Sequence, residues 1–141
     1  MASGVHINPA SAVLMADVYV DQIDTGGSMK VFSGALPAEC ATADPSGTLV
    51  TITLPEPAFA AAADTTDEAT AAKSGTWSGT ASGSGDAACF RIYDGATCIG
   101  QGTAGEAADA PDLEFDEKTI ASGATITITA FSFSQPYNPE G

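Results

Sequence analysis

The stretch at residues 88–99, ACFRIYDGATCI, decides the fold. Its first half alternates apolar and other residues with a period of two, which predicts a β-strand with Phe90 and Ile92 on one face. Asp94-Gly95 then gives a strong hairpin signal. A two-residue loop returns Ile99 to the face of Phe90 and Ile92, whereas a slip of one residue sends it to solvent. The sequence therefore predicts an antiparallel hairpin at the centre of the molecule.

Further strands follow from the same period on both sides of this hairpin. They are predicted at residues 28–33, 48–54, 74–81, 112–115, 119–120 and 124–133. In the last of them Ile126 and Ile128 alternate with threonines, and the apolar phase then shifts by one to Phe131 and Phe133. Such a shift indicates a β-bulge or a change of sheet.

The segments between the strands are predicted to be connections. The alanine-rich residues 58–63 favour an exposed connection or a short helix, and an acidic loop follows at Asp64, Asp67 and Glu68. Residues 82–86 are predicted to form a flexible turn, and residues 102–111 a loop. Many short strands joined by glycine-rich turns are typical of a sandwich.

One helix is predicted near the start of the chain. Asn8-Pro9 has the residue types of an N-cap and a first helical position, and Gly26-Gly27 gives a stop. The residues at helical spacing that we expect to face the core are Ala12, Met15, Ala16, Tyr19 and Ile23. Asp17, Asp21 and Asp24 fall on the opposite face.

Together these patterns predict a mainly β protein, an antiparallel β-sandwich or jelly-roll-like fold with one short N-terminal helix. We expect an N-terminal arm at residues 1–9 and one domain at 10–134, led by a helix at 9–25. The C-terminal tail is expected at 135–141. A chain of 141 residues is long enough for one domain with its own core.

The charge balance excludes some partners. The chain has 18 acidic residues and a net charge of -14, and its four cations, Lys30, Lys73, Arg91 and Lys118, are scattered. Binding to nucleic acid or an anionic membrane needs clustered Lys and Arg. We therefore expect no nucleic-acid partner and no membrane partner.

The cysteines and the first residues of the chain indicate the cellular compartment in which the protein is made. Cys40, Cys89 and Cys98 are odd in number and widely spaced, which argues against a disulfide framework and for a reducing cytosol. The predicted hairpin register also keeps Cys98 away from Cys89. Residues 1–8 lack the features of a secretory signal. We expect a soluble protein that is made inside a cell.

No residue pattern predicts an enzyme or a cofactor. The single histidine, His6, offers no partner set for a nucleophile or for zinc. The weak metal candidates are Asp112, Glu114 and Asp116, which share one face of a strand and suit a hard cation. Leu113 and Phe115 on the other face favour an ordinary strand instead. A carboxylate-dependent glycosidase is the least favoured reading.

The only tryptophan, Trp77, lies in a strand of small residues. It is predicted to be a core residue, with a sugar-stacking platform or a partner anchor as the alternative.

Four segments resemble small virion structural proteins encoded among the head and tail genes of tailed phages. They are residues 29–37 (MKVFSGALP), 47–59 (GTLVTITLPEPAF), 88–94 (ACFRIYD) and 120–128 (IASGATITI). The family patterns they resemble are "IYTGxxP", "GTLLxTxxLxxPAF", "WFRVxD" and "I-x-x-G-x-x-V". The acidic insertions near residues 64–68 and 106–109 and the proline-containing tail depart from the family.

This resemblance implies a non-enzymatic capsid decoration (cement) protein on the outside of a phage head. Its implied partners are the major capsid protein and other copies of itself, as a homodimer or homotrimer, in a virion assembled in the host cytoplasm. We expect the contacts at the two ends of the chain, around Val5 and Ile7 and around Pro136 and Tyr137, where arms add strands to a neighbour's sheet. The alternative is a tail or baseplate component with lectin-like glycan binding through Trp77 or Tyr93.

Overall fold

The structure is a computed structural model that describes residues 7–23, 26–65, 68–109, 111–115, 117–129 and 131–136. One helix precedes a series of short strands. The elements are α1 (Pro9–Asp21), β1 (Gly27–Phe32), β2 (Thr48–Thr53), β3 (Ala63–Asp64), β4 (Glu68–Ala72), β5 (Trp77–Thr80), β6 (Gly85–Asp86), β7 (Cys89–Asp94), β8 (Thr97–Gly105), a 3₁₀ turn (Ala107–Asp109), β9 (Leu113–Glu114), β10 (Thr119–Ile120), β11 (Thr125–Ile128) and β12 (Ser132–Pro136).

The strands form one large sheet and three small ones. The large sheet has the order β2-β1-β7-β8-β9, and the small sheets are β11-β5, β10-β6 and β12-β4-β3. Neighbouring strands are antiparallel except β8 and β9, which pair in parallel over two residues. The chain is thus mainly β with one helix, and its sheets are compatible with a β-sandwich. The jelly-roll form stays a prediction.

The core lies between the large sheet and the small ones. Side chains of β1, β2 and β7 on one face of the large sheet meet Trp77 of β5, Ile128 of β11 and Ala71 of β4 in one buried cluster. The sheets approach closely where β5 lies on β2. A Cβ atom added at Gly79 would lie only 2.8 Å from the carbonyl oxygen of Thr51, so a larger residue would not fit there. Glycine at this position therefore sets the distance between the layers.

The central hairpin forms as its sequence predicts. Asp94 pairs with Thr97 across a two-residue turn, and Gly95 has a positive φ of 60°. The register places Cys98 opposite Tyr93 and shifts by one residue between Ile92 and Tyr93. Ile99 packs against the main core with Phe90 and Ile92, as expected.

The phase shift in the last predicted strand is a change of sheet. Ile126 and Ile128 lie in β11, which pairs with β5, and the chain then crosses to β12, which pairs with β4. Phe131 and Phe133 therefore reach the core from a second sheet. The predicted change of sheet is confirmed.

Three predicted connections were wrong in part. The alanine-rich stretch leads into β3, which pairs with β4, and the acidic residue Glu68 begins β4 itself. In the expected turn at 82–86, Gly85 and Asp86 form β6, paired with β10. The expected loop at 102–111 is strand up to Gly105, since β8 continues along β7 to the Cys89–Thr103 pair and then meets β9. The strand residues of these segments lack large apolar side chains, and without them the alternation typical of a strand cannot be detected in the sequence.

Candidate interaction surface

Helix α1 presents an apolar face to solvent. Leu14, Met15 and Val18 expose 65%, 49% and 68% of their surface. Together with Tyr19 and Gln22 they line a shallow depression of about 450 Å³. We call these five side chains the outer helix face.

The inner face of the helix explains why these large residues lie outside. Asn8 caps α1 by accepting a hydrogen bond from the Ala10 backbone N–H at 2.8 Å. Ala12 and Ala16 are fully buried and pack with Ala69 of β4. Small side chains on both surfaces let the helix lie close to the sheet, so the alanine side turns inward. The expected core position of Met15 was therefore wrong, whereas Ala12, Ala16 and Ile23 are buried as predicted.

The exposure of this face is unusual for a surface helix. A surface helix normally has one apolar stripe, and a helix that is apolar all round is normally covered on all sides. The only other large apolar residue that is exposed in the described part of the chain is Leu36, at 38%. The outer helix face is therefore the strongest candidate for a contact with another molecule.

Tyr19 fixes one rim of the outer helix face to the sandwich. Its hydroxyl donates to the carbonyl oxygen of Ile99 at 2.7 Å, and its ring stacks on Phe133 with centroids 4.2 Å apart. A Cβ at Gly100 would lie 2.5 Å from that hydroxyl, so glycine makes room for it. Burial raises the pKa of Tyr19 above its ordinary value. The helix is thus anchored on the large sheet through Ile99 and on the β12-β4-β3 sheet through Phe133, and it offers a preformed surface.

The long edge of β8 is protected. Strand β9 covers only Ala104 and Gly105 of that edge. Further along it, the Ile99 carbonyl accepts from Tyr19, and the Thr103 N–H donates to Asp112 Oδ2 at 3.0 Å. Side chains that occupy edge groups hinder the addition of a foreign strand. This edge is consequently a poor acceptor for an arm of a neighbouring copy.

The described residues nearest to the two ends of the chain, Ile7 and Pro136, belong to the domain. Ile7 is half-buried and packs on the alanine cluster of α1 and β4, so it belongs to the fold. Pro136 ends β12 and pairs with Glu68, where a free tail from residue 135 was expected. Val5 and Tyr137 lie outside the described residues. Neither Ile7 nor Pro136 lies on an arm that extends from the domain.

Trp77 is a core residue, as the favoured reading predicted. It is fully buried, and its indole N–H donates to the carbonyl oxygens of Ala58 and Ser74 at 3.2 and 3.1 Å. Tyr93, the other ring proposed for glycan stacking, is 5% exposed. The lectin-like alternative stays a prediction, but neither ring faces solvent.

The predicted carboxylate set does not form a metal site in the described residues. Asp112 Oδ2 accepts hydrogen bonds from the backbone N–H and hydroxyl of Thr103, and Glu114 is exposed. Both line an open groove of about 560 Å³ with Lys73. Asp116 and His6 lie outside the described residues. Within those ranges no group of three or more His, Cys, Asp or Glu side chains is placed to hold a metal ion.

A buried arginine holds the loop at residues 33–47 on the outer face of the large sheet. Arg91 is 1% exposed, and its guanidinium donates to Asp44 Oδ1 at 3.0 Å, to Gln101 Oε1 at 3.1 Å and to the Glu39 carbonyl at 3.1 Å. The hydroxyl of Tyr93 donates to the same oxygen of Asp44. That hydrogen bond, followed by the Arg91 contact, lowers the pKa of Asp44. We call Arg91, Asp44, Tyr93 and Gln101 the loop clamp.

A disulfide joins the same loop to β8. Cys40 and Cys98 are bonded, with Cα atoms 5.5 Å apart, and Cys89 is free and buried. The expectation of no disulfide was wrong, because the loop folds back over the sheet and closes a separation of 58 residues. The spacing of the cysteines in the sequence does not show that this loop brings Cys40 next to Cys98. The cysteine pattern therefore no longer supports a reducing compartment.

We expect Cys40→Ser to lower the free energy of unfolding by about 2 to 4 kcal/mol, because the cross-link restricts a long loop in the unfolded chain. Urea unfolding with and without reductant measures this loss. Reductant should reproduce it in the wild type and leave Cys40→Ser unchanged. A Cys89→Ser variant is the control for the loss of a cysteine. Equal stability of Cys40→Ser and the wild type would contradict the prediction.

The loop clamp should make stability depend on alkaline pH. Burial, followed by the hydrogen bond to Asp44, raises the pKa of Tyr93 from 10.0 to about 12. The neutral phenol thus stabilises the fold below about pH 10, and this contribution is lost as the pH rises toward about 12. Urea midpoints compared between wild type and Tyr93→Phe should converge over that range. A difference between the two proteins that is constant from about pH 8 to 12 would contradict the assignment.

Every cation of the chain is engaged within the molecule. Arg91 pairs with Asp44 and Lys118 Nζ with Asp109 Oδ2 at 3.3 Å. Lys73 Nζ donates to the Gly75 carbonyl at 2.7 Å, and Lys30 Nζ lies 5.2 Å from the ring centre of Tyr93. The surface that meets other molecules therefore carries the excess negative charge.

Comparisons with protein-family models, curated proteins and solved structures find no match to this chain. In the described residues no helix has both the length and the apolar character needed to cross a bilayer.

Proposed function

We propose that this chain is a non-enzymatic structural protein of a tailed-phage virion, a head decoration protein that binds the outer capsid surface and stabilises it. Its partners are the major capsid protein and neighbouring copies of the chain, arranged as dimers or trimers.

The observation that carries this proposal is the outer helix face. An acidic domain that leaves Leu14, Met15 and Val18 exposed on a rigidly anchored helix has a surface suited to permanent contact with a partner. The clusters of polar side chains described above, by contrast, hold the fold together. An assembly role uses the largest exposed apolar group in the described residues, which the packing of the fold does not require.

Two further features support a place on the outside of a particle. Disulfides persist on virion surfaces and are rare in reduced cytosol, and Cys40 and Cys98 form one. A net charge of -14 repels packaged DNA, so the charge is better placed on the outer side of the shell than on the inner side.

Mass spectrometry of purified virions tests the proposal. We expect the chain at a fixed copy number per particle that is comparable with that of the major capsid protein. Its absence from purified particles would overturn the proposal.

Particles that carry variant proteins test the surface. Leu14→Ser with Val18→Ser should lower the copy number, because it removes two exposed apolar side chains and leaves the charge unchanged. Leu36→Ser is the matched control, since it removes an exposed apolar side chain from a different part of the surface. Equal copy numbers for the double variant and the control would contradict a docking role for the helix.

A further inference from the structure

We propose that the outer helix face docks into an apolar groove bordered by Lys and Arg side chains on a different protein, and not onto a second copy of this chain. The inference rests on the proposed function, in which that protein is the major capsid protein, and adds the chemistry of the partner surface.

The centre of the contact is apolar. Leu14 and Val18 lie four residues apart and Met15 lies beside them, so their side chains form one continuous stripe on the helix. A helix of this kind binds by laying its apolar stripe into a groove. Tyr19 closes one side of the stripe and is held by Ile99 and Phe133. The partner must therefore supply a groove that admits a helix that is already folded.

The border of the contact is acidic. Asp17 lies along the flank of α1 beyond Leu14 and accepts a hydrogen bond from the Ala62 N–H at 2.7 Å, and the chain as a whole carries a net charge of -14. No cation lies in α1. Charge complementarity then calls for basic residues on the partner, next to its apolar groove.

A second copy of the chain does not provide this border. Two identical helices would bring their own Asp17 side chains close to each other, and none of the four cations of a copy lies in α1. Each copy also carries a charge of -14. Like charges brought together at an interface oppose association.

The size of the surface disfavours a stable one-to-one complex of any kind through this face alone. The outer helix face has five side chains, whereas a stable interface takes about 20 to 30 residues from each partner. A contact this small gains strength when many copies bind one repetitive surface with further contacts between neighbours. Copies on a particle would then touch one another through other surfaces.

A pair of synthetic two-helix hairpin peptides tests the partner chemistry without any virion. The first has a leucine-lined groove between its helices that is bordered by lysines, and the second has the same groove bordered by glutamates. Binding to the purified, oxidised full chain is measured by titration calorimetry at about 50 mM and about 500 mM salt. We expect the lysine peptide to bind and the glutamate peptide not to bind. Higher salt should weaken the binding at least about tenfold.

The variant pair separates this docking from general attraction to an acidic protein. Leu14→Ser with Val18→Ser should weaken binding of the lysine peptide at least about tenfold, because the charge is unchanged and the apolar stripe is lost. Leu36→Ser should bind like the wild type. Equal binding by the double variant, or equal binding of both peptides, would overturn the inference. Circular dichroism confirms that the variants are folded.

Light scattering tests whether a second copy of the chain binds the outer helix face instead. We expect the double variant and the wild type to have the same mass in solution. A wild-type dimer that becomes a monomer in the double variant would overturn the inference in favour of a second copy. If the lysine peptide does not bind but the protein is present in virions, the inference fails and the proposed function stands. Peptide binding by a protein absent from virions overturns only the virion assignment.

Discussion

Trp77→Ala should lower the free energy of unfolding by about 3 to 5 kcal/mol, a large part of the stability of a domain this size. The indole is fully buried and contacts Phe59 and Phe131, with ring centres 5.3 and 5.6 Å away. Its removal leaves a cavity between the sheets and takes the donor away from the Ala58 and Ser74 carbonyls. Urea unfolding followed by far-ultraviolet circular dichroism measures the loss, since the variant has no tryptophan fluorescence.

Two other substitutions in the same strand serve as comparisons for the loss of stability in Trp77→Ala. Ser78→Ala, one residue along β5 and exposed, should change stability by less than about 0.5 kcal/mol. Trp77→Phe should lie between the two, because it keeps an aromatic ring and removes the N–H donor. If Trp77→Ala were as stable as Ser78→Ala, the placement of the indole in the core would be wrong. A glycan-binding platform at Trp77 predicts that contrary result, a stable variant with lost binding.

The sequence predicted the fold where large apolar side chains mark the strand period. The hairpin after Phe90 and Ile92 and the change of sheet between Ile128 and Phe131 are both confirmed. In each case a one-residue change of register would move a large side chain between the core and solvent, so the pattern strongly constrains the structure. Strands that lack large apolar side chains, such as β3 (AD) and β4 (EATAA), have no such constraint.

The candidate surface was not predicted, for a related reason. Helical spacing placed Met15 inward because it counts apolar residues on a face and gives alanine less weight than methionine. In the structure the alanine side of α1 packs on Ala69, since close approach of helix and sheet needs small side chains on both. A stripe of alanines beside a stripe of large residues is the signal that could have shown which side faces out.

The loop clamp and the disulfide could not be predicted from the sequence. Arg91 alternates with Phe90 and Ile92 and therefore points away from the main core, a position that is solvent-exposed in most antiparallel sheets. Only the return of the loop at residues 33–47 buries it and brings Cys40 to Cys98. Contacts between residues so distant in the chain depend on tertiary structure, which local patterns do not contain.

Arg91→Ala should lower the free energy of unfolding by about 2 to 4 kcal/mol, less than for a fully buried ion pair, since the Asp44 side chain is 43% exposed. The buried guanidinium makes its hydrogen bonds to Asp44, Gln101 and the Glu39 carbonyl. Its removal leaves these acceptors without their donor under the loop and opens a cavity on the outer face of the sheet. Urea unfolding gives the loss, and hydrogen exchange of residues 33–47 should rise more than exchange in β7.

Matched variants identify what the arginine contributes. Arg91→Met restores much of the volume without a donor, so a loss close to that of Arg91→Ala assigns the effect to the hydrogen bonds and charge. Lys30→Ala, at the position paired with Arg91 on β1, should cost less than about 1 kcal/mol, since its contact is with the face of the Tyr93 ring. Full stability of Arg91→Met would show that only packing matters.

The loop clamp and the disulfide hold the same segment, and this makes their effects interdependent. Once Cys40→Ser has freed the loop from β8, Arg91→Ala has less ordered structure left to disrupt. We therefore expect the double variant to lose less stability than the sum of the two single losses, by about 0.5 to 3 kcal/mol. Cys40→Ser combined with Trp77→Ala is the control, because Trp77 lies in the main core on the other face of the sheet and has no part in the loop clamp. Additive losses for Cys40 and Arg91 would mean that the disulfide and the arginine stabilise separate parts of the protein, and that the loop is not one cooperative unit.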